Sequence, residues 1–486
     1  MAAREQRHVS WSRDRTRLRR FAGWLPEVLV VLLVASAGAQ LQFDLGHRWF
    51  GLERTDPTTA PAQVPAPRGL DLSASASEPP LAATVVPGAL NVAAVRTALA
   101  PLVTDPKLGG HGMFQVADLS TGEVVYRRGA ASATPASTMK LLTGTAALAA
   151  LGPGTRFTTR VVGTGDQIVL VGGGDPFLAS SKAKAKGHYP ARADLRTLAK
   201  RTAAALGAQG IRTVTLGYDT SMFRGPAVNP RWPDSYLPDN VVPPISALWA
   251  DEAKGADGRY VADPARTAAE IFAKALRSER IGVTGAMKEV VAPATATDLA
   301  AVTSSPVGEI VQQTLAVSDN NAAEVLARHV GASLTGDASF TGGTKAIFAV
   351  LKGLGVDVAG SVAYDGSGLS RDNRLTATTL LDVLRVAASS ENPKLREVVT
   401  GLPIAGFTGS LQRRFATGPD AAKGRVRAKT GTLTGVHGLA GIAADVDGNL
   451  MAFVLVVDKV AVQDTLSAQH ELDLMAGALG SCRCGS

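Results

Sequence analysis

Cysteine is almost missing from this 486-residue chain: there are two, Cys482 and Cys484, both at the extreme C-terminus. Their C-x-C spacing is poor for an unstrained bridge, and a metal site would need more ligands than this tail offers. The segment is therefore expected to be a disordered tail, and no metal or cofactor is expected. Charge is also sparse, 19% of residues against 45% hydrophobic, and the formal net charge of +8 is concentrated in the first twenty residues. No basic stripe is interleaved with aromatics, which excludes a nucleic-acid partner. Only seven histidines occur. His329 and His437 are read as core or surface residues rather than catalysts.

What is there is size enough for two or three domains around a large core. Residues 1–20 form an arginine-rich arm, expected to stay cytoplasmic. Residues 21–43 hold an apolar stretch, short for a membrane span, with Ala35-Ser36-Ala37 resembling a cleavage site. An uncleaved anchor and a cleaved signal peptide both stand. Accordingly the rest is expected either anchored on the extracytoplasmic face of the cell membrane or secreted. Residues 44–90, rich in Pro, Ala, Ser and Thr, read as a linker. Asn91 onward reads as a helix. Met113–Ala117 with Glu123–Tyr126 reads as a hairpin, and Gly438–Ala444 with Met451–Val457 as two strands before a closing helix. Strands at both ends with helices between predict an α+β fold whose antiparallel sheet uses both termini. Residues 91–155 and 300–486 would form it, with 156–299 an inserted domain of short strands and turns.

Three motifs stand in order: Ser137-Thr138-Met139-Lys140, Ser318-Asp319-Asn320 and Lys429-Thr430-Gly431. Taken alone, the first is an N-cap serine with a snorkelling lysine, the second a helix cap, and the third an edge strand guarded by lysine. Together they supply the parts of serine acyl transfer without histidine. Ser137 opens an apolar run ended by Gly152-Pro153, so Lys140 shares its helix face. Burial would lower the Lys140 pKa and make it a base. Ser318 would pass a proton to a leaving amine and Asn320 would bind a backbone amide. Lys429 and Thr430 would hold a carboxylate, Gly431 would let substrate approach, and the Thr432 and Ser137 amides would form an oxyanion hole. A second S-x-x-K at Ser181–Lys184 sits in a polar run with no apolar helix behind it. A second S-x-N ends at Asn392, which Pro393 marks as a helix end.

On these motifs the chain resembles the penicillin-recognising serine enzymes. Within them it resembles the D-alanyl-D-alanine carboxypeptidase/endopeptidase family of the penicillin-binding protein 4 type, peptidase family S13. Pro135 to Thr143, Leu170 to Pro176, Asp365 to Arg371, Leu402 to Leu411 and Ala428 to Leu433 are similar to that family's blocks, over about residues 91–480. The resemblance implies a transpeptidase/β-lactamase-like fold and no cofactor. It implies Ser137 as the acylated nucleophile, Lys140 as base, Ser318 and Asn320 as leaving-group and substrate contacts, and Lys429 and Thr430 as the carboxylate anchor. Arg371 is the next candidate anchor. The implied substrate is the peptidoglycan stem peptide, with β-lactams as covalent inhibitors. The stretch between the first two motifs is short for the family, so one inserted subdomain is expected to be reduced or missing. The alternatives are a β-lactamase or esterase of the same superfamily, which would need a further group such as a positioned glutamate to activate a deacylating water, and a non-catalytic peptidoglycan-binding module. The sequence leaves the oligomeric state open.

Overall fold

The apolar run after Ser137 folds into a helix hidden on every side, and the molecule is layered around it. The computed structural model describes residues 88–485, which fall within one compact unit. The basic arm, the apolar segment and the linker through residue 87 lie outside the described residues. Asn91 caps helix α1 (Val92–Leu99) by accepting from the Ala94 amide. Strands β1 (Gly112–Asp118) and β2 (Val124–Gly129) form the expected hairpin. Helix α2 (Met139–Leu151) is buried from Met139 through Leu148. An apolar helix with no polar face belongs in the interior.

The insert follows: β3 (Thr158–Thr164), β4 (Gln167–Val171), α3 (Leu195–Ala208), β5 (Thr213–Asp219), α4 (Pro264–Ser278), β6 (Gly282–Glu289) and β7 (Thr297–Thr303). The chain then returns through α5 (Val307–Val317), α6 (Asn320–Thr335), α7 (Phe340–Gly353) and α8 (Ala377–Ala388). It closes with β8 (Val426–Leu433), β9 (Val436–Ala444), β10 (Leu450–Val457) and α9 (Thr465–Ser481).

The main sheet has the order β8-β9-β10-β1-β2 and is antiparallel throughout. Both termini contribute to it, as the strand pattern implied. Both of its faces are covered, and β10 shows how. Ala452, Val454 and Val456 join the core beneath α2, α5, α7 and α8. The alternate residues Met451, Phe453, Leu455 and Val457 face the core under α1 and α9. This is the two-residue period of a strand read by two different layers.

The insert departs from the expected run of short strands and turns. Its five-stranded sheet, β6-β5-β4-β3-β7, is mixed, because β5 pairs parallel with both β4 and β6. Parallel neighbours need crossover helices, which are α3 and α4; their apolar faces share one core with the sheet. β7 runs to Thr303, past the boundary expected at 299, because it returns beside β3. Between β5 and α4 a long segment carries Trp232, Val242, Ile245 and Trp249 onto Val325 of α6, Phe340 of α7 and Leu369. That packing holds the segment beside the three motifs.

Two other expectations are corrected. The C-terminal tail is built into the fold: Cys482 and Cys484 form a disulfide with Cα atoms 5.4 Å apart. Cys484 is buried, its amide donates to Asp445 Oδ2 at 3.0 Å and its carbonyl accepts from the Asn91 amide at 2.8 Å. Backbone partners at both ends outweigh the short spacing. Asn392 ends no helix; α8 stops at Ala388, and Asn392 precedes the turn Pro393–Leu395.

Candidate active site

Ser137 lies in a single tight turn, Ala136–Thr138, that runs into α2. Ala136 has φ +44°, a left-handed conformation that costs a non-glycine residue strain and tends to occur at functional sites. The turn is held by Thr138 Oγ1, which donates to Pro135 O at 2.8 Å. Gly368 (φ +88°) packs against it so closely that a Cβ there would lie 1.8 Å from Ala136 O.

Lys140, one turn further, is wholly buried. Its Nζ donates to Ser137 Oγ at 2.8 Å, Asn320 Oδ1 at 2.7 Å and Ser367 O at 2.7 Å. Burial lowers its pKa to about 8, against the pull of Asp365, Glu324 and Asp319. A substantial neutral fraction therefore exists near neutral pH. In that state the Ser137 hydroxyl donates along the same contact.

The second motif splits its residues between two partners. Ser318 ends α5 in the left-handed conformation (φ +63°), Asp319 caps α6 by accepting from the Ala322 amide at 3.0 Å, and Asn320 starts α6. The reversal of direction sends Asn320 to Lys140 and Ser318 to Lys429, whose Nζ donates to Ser318 Oγ at 2.8 Å and to Thr430 O at 2.9 Å. Burial, then the Lys140 charge, pushes Lys429 well below its usual pKa. Lys429 has no exposed surface, whereas Thr432 is exposed. Its amine is thus engaged by Ser318 Oγ and the Thr430 carbonyl below the surface.

β8 is an edge strand, but half of its outer edge is covered: Val426 O accepts from Ala405 N, and Ala428 N donates to Pro403 O. Backbone groups alternate sides along an antiparallel strand, so Thr430 and Thr432 turn theirs to the same outer edge. Among the described residues no other segment pairs there. Gly431 closes on the Ser137 turn; a Cβ would lie 2.8 Å from Pro135 O. Arg371 stands at the far end of this strand, donating to Thr434 O at 3.0 and 3.1 Å, not beside Lys429.

The residues picked from the three motifs are thus brought together, and the second S-x-x-K is not. Ser181 merely caps the exposed turn Lys182–Ala185. His329 stacks on Phe157 at 3.7 Å and is held to about pKa 4 by burial. His437 is buried and depressed for the same reason. Three residues beside the motifs were given no role in the sequence reading, although Ser410 and Asp365 lie within the family-like blocks. Ser410 Oγ lies 2.9 Å from Thr430 Oγ1. Glu324 binds the Gly366 and Ser367 amides. Asp365 accepts from the Gly368 and Ser370 amides, Asn373 Nδ2 and Trp232 Nε1. Glu324 was legible in part, as an acid four residues after Asn320 in an apolar helix.

Comparison with known proteins gives a consistent set of matches. The family model described as D-Ala-D-Ala carboxypeptidase 3 (S13) matches residues 95–256 and 249–479. Carboxypeptidase DacB of Mycolicibacterium smegmatis is 34% identical, over 97% of this chain and 99% of its own. The D-alanyl-D-alanine carboxypeptidase of Actinomadura sp. (strain R39) is 31% identical, over 76% of this chain and 82% of its own. Among solved structures, penicillin binding protein 4 (dacB) of Haemophilus influenzae shares the fold, with TM-score 0.65 and 22% identity over 79% of this chain and 98% of that one.

Proposed function

The chain belongs to the D-Ala-D-Ala carboxypeptidase 3 (S13) family, and from that premise we propose that its three motifs carry out the reaction as follows. The enzyme is a serine-type D-Ala-D-Ala carboxypeptidase. Neutral Lys140 removes the Ser137 hydroxyl proton as Oγ attacks the carbonyl of the penultimate D-Ala. The oxyanion meets the Ser137 and Thr432 amides. The C–N bond breaks as the proton that Lys140 took from Ser137 is delivered to the departing D-Ala amine by way of the Ser318 hydroxyl, which is tied to Lys429, so that Lys140 is neutral again. Water then cleaves the ester, Lys140 serving as base again, and Ser137 is regenerated. Asn320 orients Lys140 and the substrate backbone. Lys429 and the Thr430 hydroxyl, with Ser410 behind it, favour a terminal carboxylate. The arriving negative charge offsets the burial that depresses Lys429. The substrate would be the peptidoglycan stem peptide, and β-lactams would acylate Ser137; a complex of the Haemophilus influenzae protein with a β-lactam exists.

The observation that carries this reading is the contact of Lys140 Nζ with both Ser137 Oγ and Asn320 Oδ1, which joins two motifs at one nitrogen. Labelling with a fluorescent penicillin followed by peptide mass spectrometry should place the adduct on Ser137. An adduct at Ser181, or none on folded protein, overturns the assignment.

The catalytic part would act outside the cytoplasmic membrane, held there or released according to the fate of residues 21–43. The basic arm before an apolar stretch supports that orientation, and so does the Cys482–Cys484 bridge, since disulfides persist in oxidising compartments. Protease added to cells stripped of their wall should digest the domain; protection would contradict the placement.

A further inference from the structure

Glu324 sits one helical turn past Asn320 on α6, wholly buried and without an ion-pair partner among the described residues. Burying a carboxylate is costly unless its oxygens are satisfied. If α6 needed only packing here, an aliphatic side chain would serve. The carboxylate is occupied instead by one piece of backbone. Oε1 and Oε2 each accept from the Gly366 amide at 3.1 Å, and Oε1 accepts from the Ser367 amide at 2.7 Å. The carbonyl of that same Ser367 accepts from Lys140 Nζ at 2.7 Å. Two of the three acceptors around Lys140 therefore depend on one face of α6: Asn320 Oδ1 directly, and Ser367 O through Glu324.

We propose that Glu324 is a positioning residue for acylation, its carboxylate clamping the Gly366 and Ser367 amides so that the Ser367 carbonyl aims the Lys140 amine at Ser137. The inference rests on the acyl-transfer reading of Ser137 and Lys140. Charge works in the same direction. Lys140 is faced by Asp365, Glu324 and Asp319, and by Lys429 from β8. Glu324 is faced by Asp365 and by Arg328 of its own helix. Burial and then Asp365 raise Glu324 to about 7, against the amides that favour its ionised form. Once ionised, it helps keep Lys140 from falling further. Thr143 offers a comparison, since its Oγ1 donates to Gly366 O at 2.6 Å and holds the same loop without charge.

The test is the acylation rate of the full chain by fluorescent penicillin across pH, for wild type, Glu324→Gln, Glu324→Asp and Thr143→Val. In Glu324→Gln the high-pH plateau should fall about tenfold or more as the amine loses its aim. Its rising limb should move about one unit to lower pH, because removing a neighbouring negative charge disfavours the ammonium. Glu324→Asp and Thr143→Val should lower the plateau and leave the limb in place. A Glu324→Gln plateau within about twofold of wild type, or an unmoved limb, overturns the proposal. If Glu324→Gln does not fold, a wild-type plateau in Glu324→Asp overturns it equally. A wild type that takes no label overturns the acyl-transfer reading and this inference with it. A labelled wild type with an indifferent Glu324→Gln overturns this inference alone.

Discussion

Ser318 Oγ lies 2.8 Å from Lys429 Nζ across 111 positions of chain, and that one hydrogen bond joins the second motif to the third. In the proposed reaction the buried lysine polarises the Ser318 hydroxyl, which relays the proton to the leaving amine. Ser318→Ala should therefore slow acylation by about 10²–10⁴-fold, the usual effect of losing a positioned proton donor. Non-covalent affinity for the peptide should change little. Stopped-flow labelling separates the two; a variant that loses only affinity would reassign Ser318 to binding.

The carboxylate preference should reside in Lys429. A charge-assisted hydrogen bond contributes about 1.5–3 kcal/mol, so amidating the substrate terminus should cost roughly one to two decades in kcat/KM at 1.4 kcal/mol per decade. Lys429→Ala should lose activity on the free acid and discriminate far less between acid and amide. A variant that still prefers the acid as strongly as wild type would exonerate Lys429 and turn attention to Arg371, whose guanidinium already stands on Thr434 O at the end of β8.

Acylation should depend on pH in a direction set by Lys140. Its pKa is lowered to about 8, and the proposed base is its neutral form. Below about 8 the reactive fraction should fall about tenfold per unit, and above it the rate should level. A pH–rate profile of acylation measures this. A flat profile from about pH 6 to 8 would mean that another base operates.

Gly368→Ala should damage catalysis through sterics alone. A Cβ would lie 1.8 Å from Ala136 O, and the left-handed backbone resists any side chain. The nucleophile turn must shift, and an error of about 1 Å can cost about 10²-fold in rate. A variant that acylates like wild type, with an unchanged melting temperature, would show that the loop and the turn move independently.

The tail makes a stability prediction. Cys482→Ser with Cys484→Ser should lower the melting temperature, because Cys484 is buried and pinned between Asn91 and Asp445. Acylation below the transition should be unaffected, since the tail packs beyond the sheet from Ser137. Equal melting curves for oxidised wild type and the double variant would show the bridge to be incidental.

The sequence alone determined the parts whose signal is local. Ser137 with Lys140 is spaced by one helical turn, β8 carries Lys429 to Gly431 on a strand, and the hairpin and closing strands follow from period-two patterns. It also rejected Ser181, whose surroundings could not bury a lysine. Contacts across the chain were decided only by tertiary structure. The parallel pairs of the insert needed crossover helices where the local pattern suggested turns. The tail became ordered because distant backbone groups satisfied it. Lys429 was legible as a candidate carboxylate anchor, yet its burial against Ser318 depended on how β8 meets α5. Glu324 drew no reading from the sequence, and Asp365 entered only as the first residue of a family-like block. They became part of the site when the loop at 365–370 folded onto α6 and offered its amides. Residue type and spacing specify local geometry, whereas burial and long-range hydrogen bonding, which set pKa values and aim carbonyls, exist only in the packed chain.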